Sequence, residues 1–472
     1  MKTAIWWVRR DLRLADNQAL YAALNAAEEI IPCFVFDPIL EQSQYNGEKR
    51  QAFMLGGLRV LDERLRELGS RLVIRRGAPA EQLKKLVEET GAAAVYAEED
   101  YSPYARQRDA GIGSLLPLHL QPGVTVYPPD AVKKGDGDPF VVFTPFSRRW
   151  RQLNPPAKTD LHPAPLHIKT RERLESLPVP DSPALPAVFL FPPGEAEAER
   201  RLSAFTLANG ARVYRYKDDR NSPALDGTSG LSPYLRFGMI SARRVAIAAI
   251  HAQAAAPDDP AQDSAITWLS ELIWREFYTS VLYHFPRVRS ESFRAQYRHI
   301  RWRNNRSEFE AWCEGRTGYP FVDAAMRHLR HTGWMHNRAR MVVASFLVKD
   351  LLIDWRWGEQ FFMQHLIDGD PAANNGGWQW AAGTGTDAAP YFRVFNPSSQ
   401  GKQHDPEGQF VRRWLPELAR VPDNTVHEPW KMREAEQREA GCIIGKDYPA
   451  PIVDHALARE RCLQAFRAAR ER

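Results

Sequence analysis

The residues best suited to hold a reactive group lie between positions 368 and 380, where the chain reads DGDPAANNGGWQW. Because aspartate, asparagine and glycine are unfavourable in helices and strands, this density of them predicts that the segment is a poor structural element. They suit the wall of a ligand site, because glycine lets the backbone approach a flat ring while Asp and Asn supply fixed donors and acceptors. No histidine or third carboxylate accompanies Asp368 and Asp370, so a metal site is not predicted.

A second group of candidate residues lies in the segment ELIWREFY, residues 271–278, which has the pattern of a helix. Glu271, Trp274 and Tyr278 then share one face, because residues three and four apart are neighbours on a helix. A carboxylate beside a tryptophan can hold a heteroaromatic ring. An amphipathic helix with aromatic residues in the core has the same pattern, and both interpretations stay open.

Two further patterns concern phosphate groups. Residues 226–232, DGTSGLS, gather hydroxyls and glycine amides before Pro233, which is typical of an anion-binding turn or of a capped helix start. Residues 287–306 contain seven arginines and one acid, with Phe293, Tyr297 and Trp302 between them. This composition fits a nucleic-acid surface, and a solvated arginine-rich face is the alternative.

Nucleophilic catalysis is not predicted, because the sequence contains neither a GxSxG motif nor a P-loop lysine. We expect His328, His331 and His336 on the surface or facing a nucleic acid.

The elements that must position these residues change in character along the chain. Strand patterns at 3–8, 30–36, 71–74, 92–97 and 124–127 alternate with helical ones, which predicts a parallel sheet covered on both faces in an α/β domain over residues 1–130. Asp16 is expected to cap the first helix. Residues 155–193 contain ten prolines, and we predict a linker over 131–200. Helical patterns dominate beyond, including 195–209 and 337–353, and predict a large all-α domain over 201–472.

Composition narrows the class of protein. The 472 residues carry a net charge of +5, and the four cysteines form no CxxC pair, which argues against a zinc ribbon or a disulfide scaffold. The apolar start is too short for a signal peptide, and no run approaches a membrane span. We therefore expect a cytoplasmic protein with no membrane contact. Eleven of the 14 tryptophans lie from Trp268 onward, which suits stacking on flat rings.

Four segments together resemble the photolyase/cryptochrome family: 6–17, WWVRRDLRLADN; 271–278; 317–341, TGYPFVDAAMRHLRHTGWMHNRARM; and 368–397, DGDPAANNGGWQWAAGTGTDAAPYFRVFNP. The resemblance covers essentially the whole chain. It implies that residues 1–130 form a Rossmann-like antenna-chromophore domain and that 201–472 form a helical catalytic domain that binds FAD.

The resemblance also implies roles for individual residues. The FAD contacts are Tyr216, Thr228, Ser229, Gly230, Leu231, Ser232, Arg340, Asp368, Gly369, Asp370 and Asn374. The tryptophans that carry electrons to the flavin are Trp302, Trp355 and Trp378. The lesion and DNA contacts are Arg220, Glu271, Trp274, Tyr278, Asn337, Arg338, Met341, Trp380 and Gln400. Glu271 and Asn374 are the catalytic pair, and the antenna residues are Arg10, Arg50 and Asp100.

The implied activity is light-dependent repair of cyclobutane pyrimidine dimers in DNA, with reduced anionic FAD as the electron donor and the dimer flipped out of the duplex. Asn337 stands where enzymes for (6-4) photoproducts carry histidine. The alternative is a cryptochrome-type blue-light signalling protein. We expect a monomer without an obligate protein partner. The antenna is methenyltetrahydrofolate or 8-hydroxy-5-deazaflavin, with FMN or an empty pocket also open.

Overall fold

The computed structural model describes residues 2–171, 173–185, 189–207 and 210–471. Within them, five parallel strands form one sheet in the order β3-β2-β1-β4-β5. The strands are β1 (Thr3–Val8), β2 (Glu29–Phe36), β3 (Val73–Arg76), β4 (Val95–Glu98) and β5 (Leu118–Gln121). β1 and β2 are continuous apolar runs, as strands covered on both faces must be. The predicted α/β sheet is confirmed.

The helices of the N-terminal part lie between the strands and after the last of them. They are α1 (Gln18–Ala26), α2 (Pro38–Glu41), α3 (Glu48–Glu67), α4 (Pro79–Thr90), α5 (Pro103–Gly113), α6 (Phe143–Gln152) and α7 (Glu195–Thr206). Asp16 does not cap α1, because the side chain of the next residue, Asn17, accepts the hydrogen bond from Leu20 N. The predicted end of α7 at residue 209 lies outside the described residues.

The rest of the chain is helical, as predicted. Its helices are α8 (Tyr216–Asp219), α9 (Ser232–Arg236), α10 (Ala242–Ala254), α11 (Asp259–His284), α12 (Arg306–Glu314), α13 (Pro320–Thr332), α14 (Asn337–Ser345), α15 (Trp355–His365), α16 (Pro371–Ala382), α17 (Pro397–His404), α18 (Gln409–Trp414), α19 (Glu434–Ala440) and α20 (His455–Arg470). A π-helix, Phe346–Asp350, follows α14 where a single α-helix to residue 353 is predicted.

Three predictions about elements are wrong. The last strand is β5, and residues 124–127 form no strand, because Val126 N donates to the Glu276 carboxylate instead of to a ladder. The segment predicted as a linker contains α6, which buries Phe146 and Trp150. Residues 371–380, predicted to be a poor structural element, lie in helix α16, and the ligand wall at 368–380 stays a prediction.

Helix α16 forms despite its composition because its polar side chains bond to the backbone of other segments. Asn374 Nδ2 donates to Glu359 O, and Asn375 Nδ2 and Gln379 Nε2 both donate to Val288 O. These contacts outweigh the weak helix propensity of Asn and Gly.

The chain folds into two compact units, each built from several segments. The first unit comprises Met1–Arg215, Ser229–Pro286 and Ile367–Ala372. The second comprises Tyr216–Thr228, Arg287–Leu366 and Ala373–Arg472, and its main core joins α12 to α16 with α18. The domain boundaries at 130 and 200 stay a prediction. Among the described residues, no helix is both long and apolar enough to cross a membrane.

Candidate functional site

The segment Asp368–Gly369–Asp370 belongs to the first unit and is held there by two arginines. Arg10 Nη2 lies 2.7 Å from Asp370 Oδ2, and Arg236 Nε donates to Gly369 O at 2.7 Å. Asp370 Oδ1 accepts from Ala372 N at 2.9 Å, in the first turn of α16. Asp368 is buried. A buried carboxylate needs hydrogen-bond donors, which the N–H groups of a flavin ring can supply.

The three residues predicted for the antenna lie in the same part of the first unit. Arg10 follows β1 and Asp100 follows β4, where the strand order of the sheet reverses and doubly wound folds bind ligands. Arg10 Nη1 lies 3.3 Å from Asp100 Oδ2. Burial alone would raise the pKa of Asp100, but the positive charge of Arg10 and a hydrogen bond from Ser102 N lower it well below its usual value. Arg50 is buried as well.

The positive groups around Asp368 and Asp370 are perturbed by their burial. Desolvation lowers the pKa of Arg50 to about 10, against the attraction of the two aspartates. Burial, with repulsion from Arg10, lowers the pKa of Arg236 to about 9. This crowding of cations in a partly dry region suits anionic ligand groups.

The loop at 226–232 does not serve as a side-chain cap. The N-cap of α9 is Leu231, which has no side chain able to accept a hydrogen bond, so the capping interpretation is wrong for this helix start. Gly230 has φ +62°, a left-handed conformation that favours glycine. Ser229–Ser232 belong to the first unit, and Tyr216 and Thr228 to the second, where Tyr216 is buried.

Glu271, Trp274 and Tyr278 lie on helix α11, as their spacing predicts, and each is half-buried. The rings of Trp274 and Tyr278 are 5.5 Å apart. One face of Trp274 is covered by Phe143, a residue that sequence reasoning missed, at 3.7 Å between ring centroids and 4° between planes. The periodic apolar residues Phe143, Phe146 and Trp150 were the signal that could have revealed α6.

Glu276, in the same helix, ties three segments of the first unit together. Its carboxylate accepts hydrogen bonds from Trp150 Nε1 at 2.6 Å and from Val126 N. Its side chain is buried, and burial raises its pKa to about 7. Glu276 thus fixes α6 against α11.

The DNA-contact candidates of the second unit include a cluster of positive charge. Arg338 Nη2 donates to Asn221 Oδ1 at 2.6 Å, and burial together with repulsion from Arg220 and Arg393 lowers the pKa of Arg338. Mutual repulsion of this kind is relieved when a phosphate binds.

The other lesion candidates of this unit lie on three helices. Asn337 and Met341 are neighbours on α14, with Asn337 exposed. Trp380 on α16 and Gln400 on α17 are half-buried.

Two residues of the second unit that are predicted to contact the flavin have side chains held by hydrogen bonds to backbone carbonyls. The hydrogen bond from Asn374 Nδ2 to Glu359 O, 2.9 Å long, sets the orientation of its amide. Arg340 Nε donates to Met335 O at 2.7 Å. Glu359 is buried, 3.7 Å from Arg289, and burial raises its pKa.

The structure brings the three predicted electron-transfer tryptophans into one region of the second unit. Arg303, next to Trp302, donates from its backbone N to Leu352 O at 2.8 Å, close before Trp355. Trp378 lies against Gly358, one turn after Trp355, so closely that a Cβ there would be 2.1 Å from Trp378 Cη2. Trp302 is half-buried, whereas Trp355 and Trp378 are only 1% and 2% exposed. The series therefore runs from partial exposure to full burial.

The expectation for the histidines is wrong in two cases. His328 is buried with its ring 4.5 Å from Trp414, and burial lowers its pKa to about 4. His336 is buried and caps α14 through Nδ1, which accepts from Arg338 N. His331 is exposed, as expected.

Comparison with known proteins identifies the family to which the chain belongs. The sequence model of DNA photolyase matches residues 4–165, and that of the FAD binding domain of DNA photolyase matches residues 268–468. The deoxyribodipyrimidine photo-lyase of Synechococcus sp. is 41% identical over 97% of this chain and 95% of that protein. The deoxyribodipyrimidine photo-lyase of Escherichia coli (strain K12) is 42% identical over the full length of both. The chain belongs to the DNA photolyase family.

A solved member shares the fold. A class III photolyase from Agrobacterium tumefaciens superposes with a TM-score of 0.93 at 34% identity, over 100% of this chain and 98% of that one. Membership of the DNA photolyase family, with the match to its FAD binding domain, makes FAD the cofactor of this chain. The roles of the single residues stay predictions.

Proposed function

We propose that this protein splits cyclobutane pyrimidine dimers in DNA in a light-dependent reaction. The observation that carries the proposal is the face of α11, where Glu271, Trp274 and Tyr278 place a carboxylate beside half-buried aromatic rings. A pair of joined pyrimidines offers ring surfaces, N–H groups and carbonyls to such a face. The names of the two curated relatives, both lyases, favour repair over blue-light signalling.

In the proposed mechanism the protein binds and orients the lesion. Arg220 and Arg338 neutralise backbone phosphates, and the dimer leaves the duplex. Trp274 stacks on the dimer while Glu271 hydrogen-bonds it, and Trp380 is a predicted lesion contact. Reduced anionic FAD, when bound, would supply the electron that opens the dimer after light is absorbed, and the electron would return to it once both C–C bonds have broken, so that the reaction is redox-neutral.

Other residues prepare the reaction. Trp302, Trp355 and Trp378 carry an electron inward to keep the cofactor reduced. Asp368 would help to hold the flavin as a hydrogen-bond acceptor. Asn374 would help to position the reactive part of the flavin. Asp370, which pairs with Arg10, fixes the segment that carries Asp368.

The proposal also covers the specificity for the lesion, the oligomeric state, the cellular location and the antenna chromophore. Asn337 and Met341 favour cyclobutane dimers over (6-4) photoproducts. The protein acts as a monomer in the cytoplasm without an obligate protein partner. The site near Arg10, Arg50 and Asp100 takes methenyltetrahydrofolate or 8-hydroxy-5-deazaflavin, and the absorption spectrum of the native holoprotein distinguishes them.

The test uses FAD-loaded protein reduced chemically without oxygen, and duplexes with a single defined lesion. Under blue light we expect reversal of the thymine dimer, measured by chromatography, and none of the (6-4) photoproduct. Reversal in darkness, or efficient (6-4) reversal, contradicts the proposal. Failure to reverse dimers despite bound reduced FAD favours the signalling alternative.

A further inference from the structure

The side chain of Trp274 is held by a second aromatic ring. Phe143 lies parallel to it, 3.7 Å away with 4° between the planes. Phe277 meets the same indole edge-on, at 5.6 Å and 80°. A ring separated from another by van der Waals distance leaves no room for a base between them. A base can therefore stack only on the face of Trp274 that is turned away from Phe143.

Phe143 is itself fixed by the docking of α6 along α11. It is the first residue of α6. Further along the helix, Phe146 packs edge-on against Phe277 at 5.3 Å, and Trp150 Nε1 donates to Glu276 at 2.6 Å. At the end of the helix, Arg151 Nη2 donates to Ser270 Oγ at 2.9 Å. The position of Phe143 is thus set by contacts along the whole length of α6.

We propose that Phe143 is a positioning residue for lesion recognition: it holds the indole of Trp274 in the orientation that receives the flipped-out dimer. The inference rests on the proposed function, in which Trp274 contacts the lesion. A side chain that is ordered before binding loses less conformational entropy when the ligand arrives. Phe143 lies against one face of the indole and also meets Phe277 edge-on at 6.0 Å, so its effect on a base stacked on the other face of the indole passes through Trp274.

The first experiment measures the affinity of Phe143→Ala for a dimer-containing duplex and for the undamaged duplex at one salt concentration. Loss of an aromatic pair predicts lesion binding about three- to tenfold weaker, with unchanged binding of undamaged DNA. Phe143→Tyr, which keeps the flat ring, should retain lesion affinity. Val142→Ala is the matched control, because Val142 precedes Phe143 and is 42% exposed.

A double-mutant cycle separates positioning from general damage to the fold. In a Trp274→Ala background, Phe143→Ala should cause no further loss of lesion affinity. An equal loss in both backgrounds overturns the proposal. Tighter lesion binding by Phe143→Ala overturns it too, since Phe143 would then be a plug in the place of the lesion.

A measurement without DNA keeps the inference distinct from the proposed function. With 5-fluorotryptophan incorporated, the fluorine NMR signal of Trp274 is assigned by its loss in Trp274→Phe. Phe143→Ala should shift and broaden that signal, and Val142→Ala should not. An unchanged signal overturns the positioning role, whereas wild-type protein that does not prefer dimer DNA overturns the proposed function.

Discussion

Trp274 and Trp378 have opposite kinds of surroundings. Trp274 is half-buried, with one face on Phe143 and the other turned away from it. Trp378 is 2% exposed, with Phe362 at 5.0 Å, Trp312 at 6.0 Å and the backbone of Gly358 beneath it. In the proposed roles, Trp274 meets the substrate and is supported on one side only. Trp378 passes an electron to the flavin, and its enclosure keeps water away from the ring and fixes its position.

The largest expected effect is on electron supply. Trp302→Phe or Trp355→Phe should abolish or strongly slow photoreduction of the flavin, because phenylalanine is much harder to oxidise than tryptophan. Repair by chemically pre-reduced protein should be nearly intact. Absorbance of the flavin under illumination and single-turnover repair measure the two quantities.

Trp312→Phe is the matched control, because Trp312 also touches Trp378 and is fully buried. We expect photoreduction to survive this change. If Trp312→Phe abolished photoreduction while Trp355→Phe did not, the electron route would run through Trp312. Trp312 would then be the residue whose surroundings should be compared with those of Trp274.

Trp274→Ala should have the converse effect. Stacking on an aromatic side chain contributes roughly 1–3 kcal/mol per base, so lesion binding should weaken about tenfold to a hundredfold. Photoreduction should continue at the wild-type rate. Titration with dimer-containing duplex and the illumination assay provide the check, and slower photoreduction would break the contrast between the two tryptophans.

Gly358→Ala should reduce stability by about 1–3 kcal/mol, as overpacking of a close contact does. The added Cβ would meet Trp378 Cζ3 at 2.4 Å and Leu347 Cδ2 at 2.7 Å. Gly377→Ala, in helix α16, is the control: nothing lies within 4 Å of its Cβ position, so it should stabilise by up to about 1 kcal/mol. Denaturant melts give both values. Equal effects of the two substitutions would mean that the Trp378 side chain shifts to make room for the added methyl group.

The smallest effect is a pH dependence at Glu276. Burial raises its pKa to about 7 in the folded protein, above the ordinary value of 4.5. Its stabilising contribution is therefore full below pH 4.5 and is lost as the pH rises through 7, by at most about 1.4 kcal/mol for each pH unit. Glu276→Gln should reduce this slope.

The difference between wild type and Glu276→Gln isolates the group, because burial also raises the pKa of Glu98 to about 7 and that of Asp350 to about 6. Melts at a series of pH values from 5 to 8 provide the check. An identical slope in both proteins would mean that Glu276 is ionised throughout.

The sequence predicted most of the elements, because the helical and strand periods of long segments do not depend on distant partners. It also predicted that Glu271, Trp274 and Tyr278 share a face, which follows from spacing within one helix. It could not predict α16, where asparagine and glutamine side chains bond to the distant carbonyl of Val288.

Contacts between residues that lie far apart in the sequence could not be predicted either. Nothing local links Phe143 to Trp274, or Trp302 to Trp355. The short amphipathic pattern of α6 lies beside a proline-rich segment that is typical of a linker. The hydrogen bond from Val126 N to the Glu276 carboxylate replaces the strand pairing that was predicted for residues 124–127.

The ion pair between Arg10 and Asp370 joins residues 360 positions apart in one compact unit. During synthesis, Arg10 leaves the ribosome first and Asp100 leaves it 90 residues later. Asp370 emerges only after most of the chain has been made. The first unit therefore cannot complete its packing until residue 372 is available, although the core of its sheet consists of residues that precede position 175.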